Sequence, residues 1–163
     1  MVYGPVIAGF RTVFSGLGLK FEFMGLEYVP ASGGAVLAIN HTSYLDFALA
    51  GWGTHRAHRR LVRFMAKDAV WKHWLGGPLM RGMKHIPVDR EAGARSLVEA
   101  IRVARSGEIV GVFPEATMSR SFEVKQIKTG AVRIAQAAGV PLIPTIVFGG
   151  QRLLGYGVRD LKT

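Results

Sequence analysis

The chain has 163 residues, 49% of them apolar, which is enough for one sizeable domain and too few for two. It has no cysteine, so disulfides, thiolate zinc sites and a cysteine nucleophile are excluded, and a reducing, cytosol-facing setting fits. Lys and Arg number 21 against 11 Asp and Glu, a formal net charge of +10 that favours an anionic partner. A mean hydropathy of +0.23 is high for so basic a chain and turns the expected partner from nucleic acid toward an anionic membrane surface.

The first segment, residues 1–19, is apolar apart from Arg11, but Pro5, its glycines and the central arginine make it a poor spanning helix. It also lacks the basic start of a signal peptide. The expectation is a helix that lies at a membrane interface or packs on the domain. The rest of the chain, 20–163, reads as one domain without repeats or linkers.

Lys20-Phe21-Glu22-Phe23 alternates like a short strand, and Ala35-Val36-Leu37-Ala38-Ile39 is a run of buried-strand length. Asn40-His41-Thr42-Ser43 then leads into Tyr44 to Ala50, a helix for which Ser43 is the candidate N-cap. From Gly51 to Gly77, Arg56, Arg59, Arg60, Arg63, Lys67 and Lys72 mix with Trp52, Phe64, Trp71 and Trp74, a composition that suits a headgroup interface or ordinary core packing. Lys84 to Val88 is strand-like, and Glu91 to about Arg105 has the apolar face of a helix. Ile109 to Phe113 reads as a buried strand, Pro114 to Lys128 as a polar loop, Ala131 to Ala138 as a helix and Leu142 to Val147 as a strand. Strands alternating with helices predict an α/β fold with a mainly parallel sheet, whose ligands sit at the carboxyl ends of strands.

His41, Arg90 and Glu115 each follow one of these strands and converge on that edge. In a continuous helix residues five apart point about 140° from each other at ~100° per residue, so His41 and Asp46 meet only if His41 lies on the turn before the helix. An imidazole held by a carboxylate can then take a proton from an attacking hydroxyl. The competing reading makes Ser43-x-x-Asp46 a capping-box-like pair and His41 a structural histidine. The loop after the strand at 109–113 offers Glu115, Thr117, Ser119 and Arg120, while Arg90 and Lys128 add charges suited to phosphate.

Asn40-His41-Thr42-Ser43-Tyr44-Leu45-Asp46 resembles the N-H-x-S-x-x-D signature of the glycerolipid acyltransferase family, which includes the 1-acylglycerol-3-phosphate acyltransferases. Phe113-Pro114-Glu115-Ala116-Thr117-Met118-Ser119 is similar to its F-P-E-G-T-R-S block, His85 to Arg90 to its second block and Val140 to Pro144 to its fourth. The resemblance implies His41 as general base with Asp46 as its partner. It also implies an acceptor contact at Glu115, and phosphate-binding roles for Arg90 and for Lys128 in Ile127-Lys128-Thr129-Gly130. Ala116 stands where the family has glycine and Met118 where it has arginine, a contact that Arg120 can replace. The chain stops soon after the fourth block, where family members usually continue, which leaves room for a C-terminal truncation.

The implied activity is transfer of a fatty acyl group from acyl-CoA or acyl carrier protein, a co-substrate and not a cofactor, to lysophosphatidic acid or a related glycerol phosphate acceptor. Its expected place is the cytoplasmic face of a membrane, in phospholipid biosynthesis. With no G-x-S-x-G elbow, direct transfer without an acyl-enzyme is expected, with backbone N–H groups near Thr42 to Leu45 as oxyanion donors. The alternative is a basic nucleic-acid-binding module built on Arg56, His58, Arg59, Arg60 and Arg63, disfavoured because no zinc-finger or RNP pattern is present, so no nucleic-acid partner is expected. No metal site is expected either, because His55-x-x-His58 lacks a third ligand. Gly16-Leu17-Gly18 lacks the third glycine of a dinucleotide fingerprint.

Overall fold

The computed structural model describes residues 3–89, 93–119 and 123–154. Within them the chain runs α1 (Tyr3–Gly16), β1 (Ala35–Ile39), α2 (Asp46–His58), β2 (Val62–Lys67), α3 (Gly76–Gly82), β3 (Ile86–Val88), α4 (Gly93–Arg105), β4 (Ile109–Val112), α5 (Gly130–Ala138), β5 (Leu142–Thr145) and α6 (Gln151–Leu154). All five strands are parallel in the order β3-β2-β4-β1-β5, so their carboxyl ends share one edge. The expected α/β class with a parallel sheet is the observed one.

Strand periodicity sorts the core into two layers. Ala35, Leu37 and Ile39 of β1 face one side, where they meet Ala50 of α2 together with Phe64 and Ile109. Val36 faces the other side and packs with Ala100 and Ala104 of α4 and Ala131 and Ile134 of α5. Small residues on α4 and α5 let the helices approach the sheet closely. Helix α1 lies over α2 through Phe10 on Phe47, with ring centroids 6.0 Å apart, and Phe14 on Trp52 at 6.3 Å. Trp52 is thus a packing residue, whereas Trp74 is 77% exposed.

Three elements differ from the sequence reading. Lys20 to Phe23 forms no strand: Phe21 and Phe23 stack on each other at 6.0 Å, and Phe23 approaches Gly53 of α2 instead of joining the sheet. Helix α2 starts at Asp46 and its N-cap is Leu45, without a side-chain cap, because Ser43 closes a turn ahead of it. The basic and aromatic stretch 51–77 contains β2, a strand whose Arg63 is 7% exposed and neutralised by Glu108.

Gly111 of β4 is paired in register with Phe64 of β2, and a Cβ at Gly111 would lie 2.6 Å from the Phe64 ring. Glycine at this point lets Phe64 lie over the neighbouring strand, where it stacks with Phe113 at 6.1 Å. That column of rings leads directly to the carboxyl edge.

Candidate active site

His41 leaves β1 between the exits of β4 and β5, and its imidazole continues the ring column, stacked on Phe113 with centroids 4.3 Å apart. The turn from His41 to Leu45 folds back onto the start of α2. Asp46 Oδ2 accepts the backbone N–H of Thr42 at 2.7 Å and of Ser43 at 2.8 Å, and lies 3.1 Å from His41 Nδ1. Residues five apart meet because the carboxylate gathers the turn's amides around itself. With Nδ1–H donated to Asp46, the lone pair of the neutral ring is on Nε2. The Asp46 side chain is 0% exposed and that of His41 23%, so the carboxylate is sealed and the imidazole reaches solvent.

The exit of β4 supplies the other wall. Glu115, 4% exposed, accepts the His41 backbone N–H at 2.7 Å through Oε1 and the Lys125 N–H at 2.9 Å through Oε2. Ser119 N–H donates to the His41 carbonyl at 2.7 Å, and its hydroxyl donates to the Glu123 carbonyl at 2.7 Å. Lys125 Nζ donates to the Met118 carbonyl at 2.8 Å and to Thr117 Oγ1 at 3.2 Å. Lys128 is exposed, and its backbone N–H donates to the Pro114 carbonyl at 3.0 Å. The loop is therefore clipped to the turn at His41 through the backbone N–H and carbonyl of that residue.

The structure thus brings His41, Asp46, Glu115 and Ser119 together, with Thr117 and Lys128 on the same loop. Arg90 and Arg120 lie outside the described residues. The backbone N–H groups of Thr42, Ser43 and Leu45, expected as oxyanion donors, are engaged by Asp46 and by Ser43 Oγ.

Two residues without a role in the sequence reading also shape the site. Asn40 Nδ2 donates to the Val147 carbonyl at 3.0 Å, and Val147 N–H donates to Asn40 Oδ1 at 2.7 Å, which ties the exit of β5 to that of β1. Lys125 holds the β4 loop through both its backbone and its ammonium. The position of Asn40 beside His41 was the only local signal, since its partner is 107 residues away.

An acyltransferase family model matches residues 20–147. The 1-acyl-sn-glycerol-3-phosphate acyltransferase of Bacillus subtilis strain 168 is 35% identical over 139 residues, 83% of this chain and 67% of that protein. The protein of the same name from Limnanthes douglasii is 30% identical over 152 residues, 91% of this chain and 51% of its own length. The crystal structure of the 1-acyl-sn-glycerophosphate (LPA) acyltransferase PlsC from Thermotoga maritima matches with a TM-score of 0.73 at 25% identity. That match covers 91% of this chain and 58% of the Thermotoga chain. The chain spans about half to two thirds of the length of these relatives.

Proposed function

Since this chain belongs to the acyltransferase family, we propose that it transfers a fatty acyl group from a thioester of CoA or acyl carrier protein to the free hydroxyl of lysophosphatidic acid. The observation that carries this reading is the hydrogen bond of His41 Nδ1 to the buried Asp46 carboxylate, which leaves Nε2 as a base at the carboxyl edge of the sheet.

His41 Nε2 takes the hydroxyl proton as the acceptor oxygen bonds to the thioester carbonyl carbon. The tetrahedral intermediate collapses by breaking the carbon–sulfur bond, and the leaving thiolate takes the proton back from the imidazolium. An ester and a free thiol result, and the enzyme returns to its starting state. Arg90, Arg120, Lys128 and the Thr117 hydroxyl are assigned to the acceptor phosphate, with arginine forks giving bidentate contacts. Glu115 and Ser119, expected at the acceptor, we assign instead to framing the loop at the same site, because both Glu115 oxygens accept backbone amides and the Ser119 hydroxyl donates to the Glu123 carbonyl. The site works at an anionic membrane surface, supported by the net charge of +10 and by exposed Trp74 and Leu75 beside Lys72. Among the described residues no helix is long and apolar enough to cross a membrane.

The test is acyl transfer to lysophosphatidic acid from labelled acyl-CoA and acyl carrier protein. Folded His41→Ala and Asp46→Asn are expected to lose roughly 10²–10⁴-fold in turnover. Full activity in both would end the assignment. Arg90→Ala is expected to raise the acceptor KM more than it lowers turnover, and flotation with anionic against neutral vesicles reads the membrane contact.

A further inference from the structure

The carboxylate of Asp46 is asymmetric. Oδ2 takes the Thr42 and Ser43 amides and His41 Nδ1, whereas Oδ1 is buried and has no hydrogen-bond partner among the described residues. A carboxylate oxygen is a strong acceptor, and one shut away from both donors and water costs free energy unless the fold gains from the exclusion.

What covers this region is Gly150, on the turn that follows β5. A Cβ built there would lie 2.9 Å from Asp46 Oδ1, 3.2 Å from Leu49 Cδ1 and 3.3 Å from Ser43 Cβ. The first distance is inside van der Waals contact, so any side chain at 150 must displace either the carboxylate or the turn. The turn is held. Asn40 pairs with both backbone groups of Val147 three residues earlier, and the Arg152 and Leu153 amides donate to the carbonyls of Gly149 and Gly150 at 3.0 Å. The carboxylate is held as well, but by Oδ2 alone, and it can swing about that anchor.

The geometry points to Gly150 as a positioning residue for the His41–Asp46 pair, pressed against the rear of the carboxylate by the Asn40–Val147 clamp. The backbone of Gly150 fixes the rotation of the carboxylate plane, so that Oδ2 stays aimed at His41 Nδ1. It also denies Oδ1 the water that would compete for the charge. The exits of β1 and β5, far apart in sequence, thereby jointly set the orientation of the base. This inference rests on the proposed role of His41 as that base.

Gly150→Ala is expected to lower kcat by up to roughly 10²-fold, the scale of an ångström-sized misplacement of a catalytic group, with donor and acceptor KM unchanged. Asn40→Ala releases the clamp without introducing a clash, and is expected to lower kcat in the same manner. It also keeps the test decisive if Gly150→Ala does not fold. In an Asp46→Asn background neither change is expected to lower kcat further, because there is no carboxylate left to orient. Unchanged kcat in folded Gly150→Ala would overturn the inference, as would an equal loss with and without Asp46. His41→Ala, assayed in parallel, separates the two levels: its retention of activity would remove the function, whereas its loss beside an unaffected Gly150→Ala would remove only the positioning role.

Discussion

The backbone N–H of His41 donates to Glu115 Oε1 at 2.7 Å across 74 residues of chain, and Glu115 Oε2 is taken by the Lys125 N–H at 2.9 Å. One carboxylate thus joins the His41 turn to the β4 loop. Glutamine fits the same volume but brings one acceptor and a donor that would face an N–H group. Glu115→Gln is therefore expected to lower stability by about 1–3 kcal/mol and to reduce kcat with little change in acceptor KM. Urea unfolding and steady-state kinetics check it. A raised acceptor KM at unchanged kcat would instead place Glu115 on the substrate.

That strut shows what the sequence can and cannot disclose. The strand, turn and helix around His41 are legible because apolar runs and glycines punctuate them, and the family blocks mark the carboxyl edge. The identity of the helix cap was not legible: Ser43 Oγ accepts the Leu45 N–H while Asp46 reaches back to the amides of Thr42 and Ser43, and a single string of residues does not say which oxygen takes which amide. Strand β2 was hidden because Arg63 breaks its apolar run, and its charge is met by Glu108, 45 residues later. The Asn40–Val147 pair was hidden for the same reason. Partners set by tertiary folding leave no local signal.

Ala116 has φ of +59°, at the position where the family block has glycine. An L-residue with a Cβ in the left-handed region carries a cost of about 1–2 kcal/mol, part of which glycine returns as unfolded-state entropy. Ala116 is exposed, so the change removes no packing. Ala116→Gly is expected to stabilise the protein by about 0.5–1 kcal/mol, read as a higher urea midpoint at unchanged slope. A lower midpoint would show that this backbone is not strained.

Helix α1 is fastened to the sheet by its first residues. The Tyr3 hydroxyl donates to the Val62 carbonyl at 2.7 Å, and the Arg63 guanidinium lies 5.3 Å from the centre of its ring. Burial pushes the phenol up to about 12 despite the nearby Arg63 charge, so it stays a neutral donor at any working pH. Tyr3→Phe keeps the ring and removes one hydrogen bond, for an expected loss of about 0.5–1.5 kcal/mol. Tyr3→Ala also gives up the cation–π contact and exposes Arg63, and is expected to cost more. Limited proteolysis within α1 should accelerate in that order, and equal rates in both variants would place the anchor elsewhere.

His85 gives the chain an acid-sensitive point away from the His41 turn. It is 6% exposed, and its Nδ1 accepts the Phe64 backbone N–H at 3.1 Å, so the neutral ring carries its proton on Nε2. Burial, reinforced by the Arg63 charge, lowers its pKa from 6.5 to about 4. The unfolded chain therefore binds a proton at this residue between pH 6.5 and about 4 while the folded chain does not. Stability contributed by the neutral ring is fully present above that window and is lost as pH falls through it, by about 3 kcal/mol in total at 1.36 kcal/mol per unit. Asparagine can place Oδ1 near the position of Nδ1 and still accept from Phe64, but it does not titrate. His85→Asn is expected to start from a lower stability, because the ring contacts with Tyr3 and Phe64 are lost, and then to fall less steeply with acid. Urea unfolding from pH 7 to 4 measures both curves, and parallel curves would show that His85 does not govern the acid response.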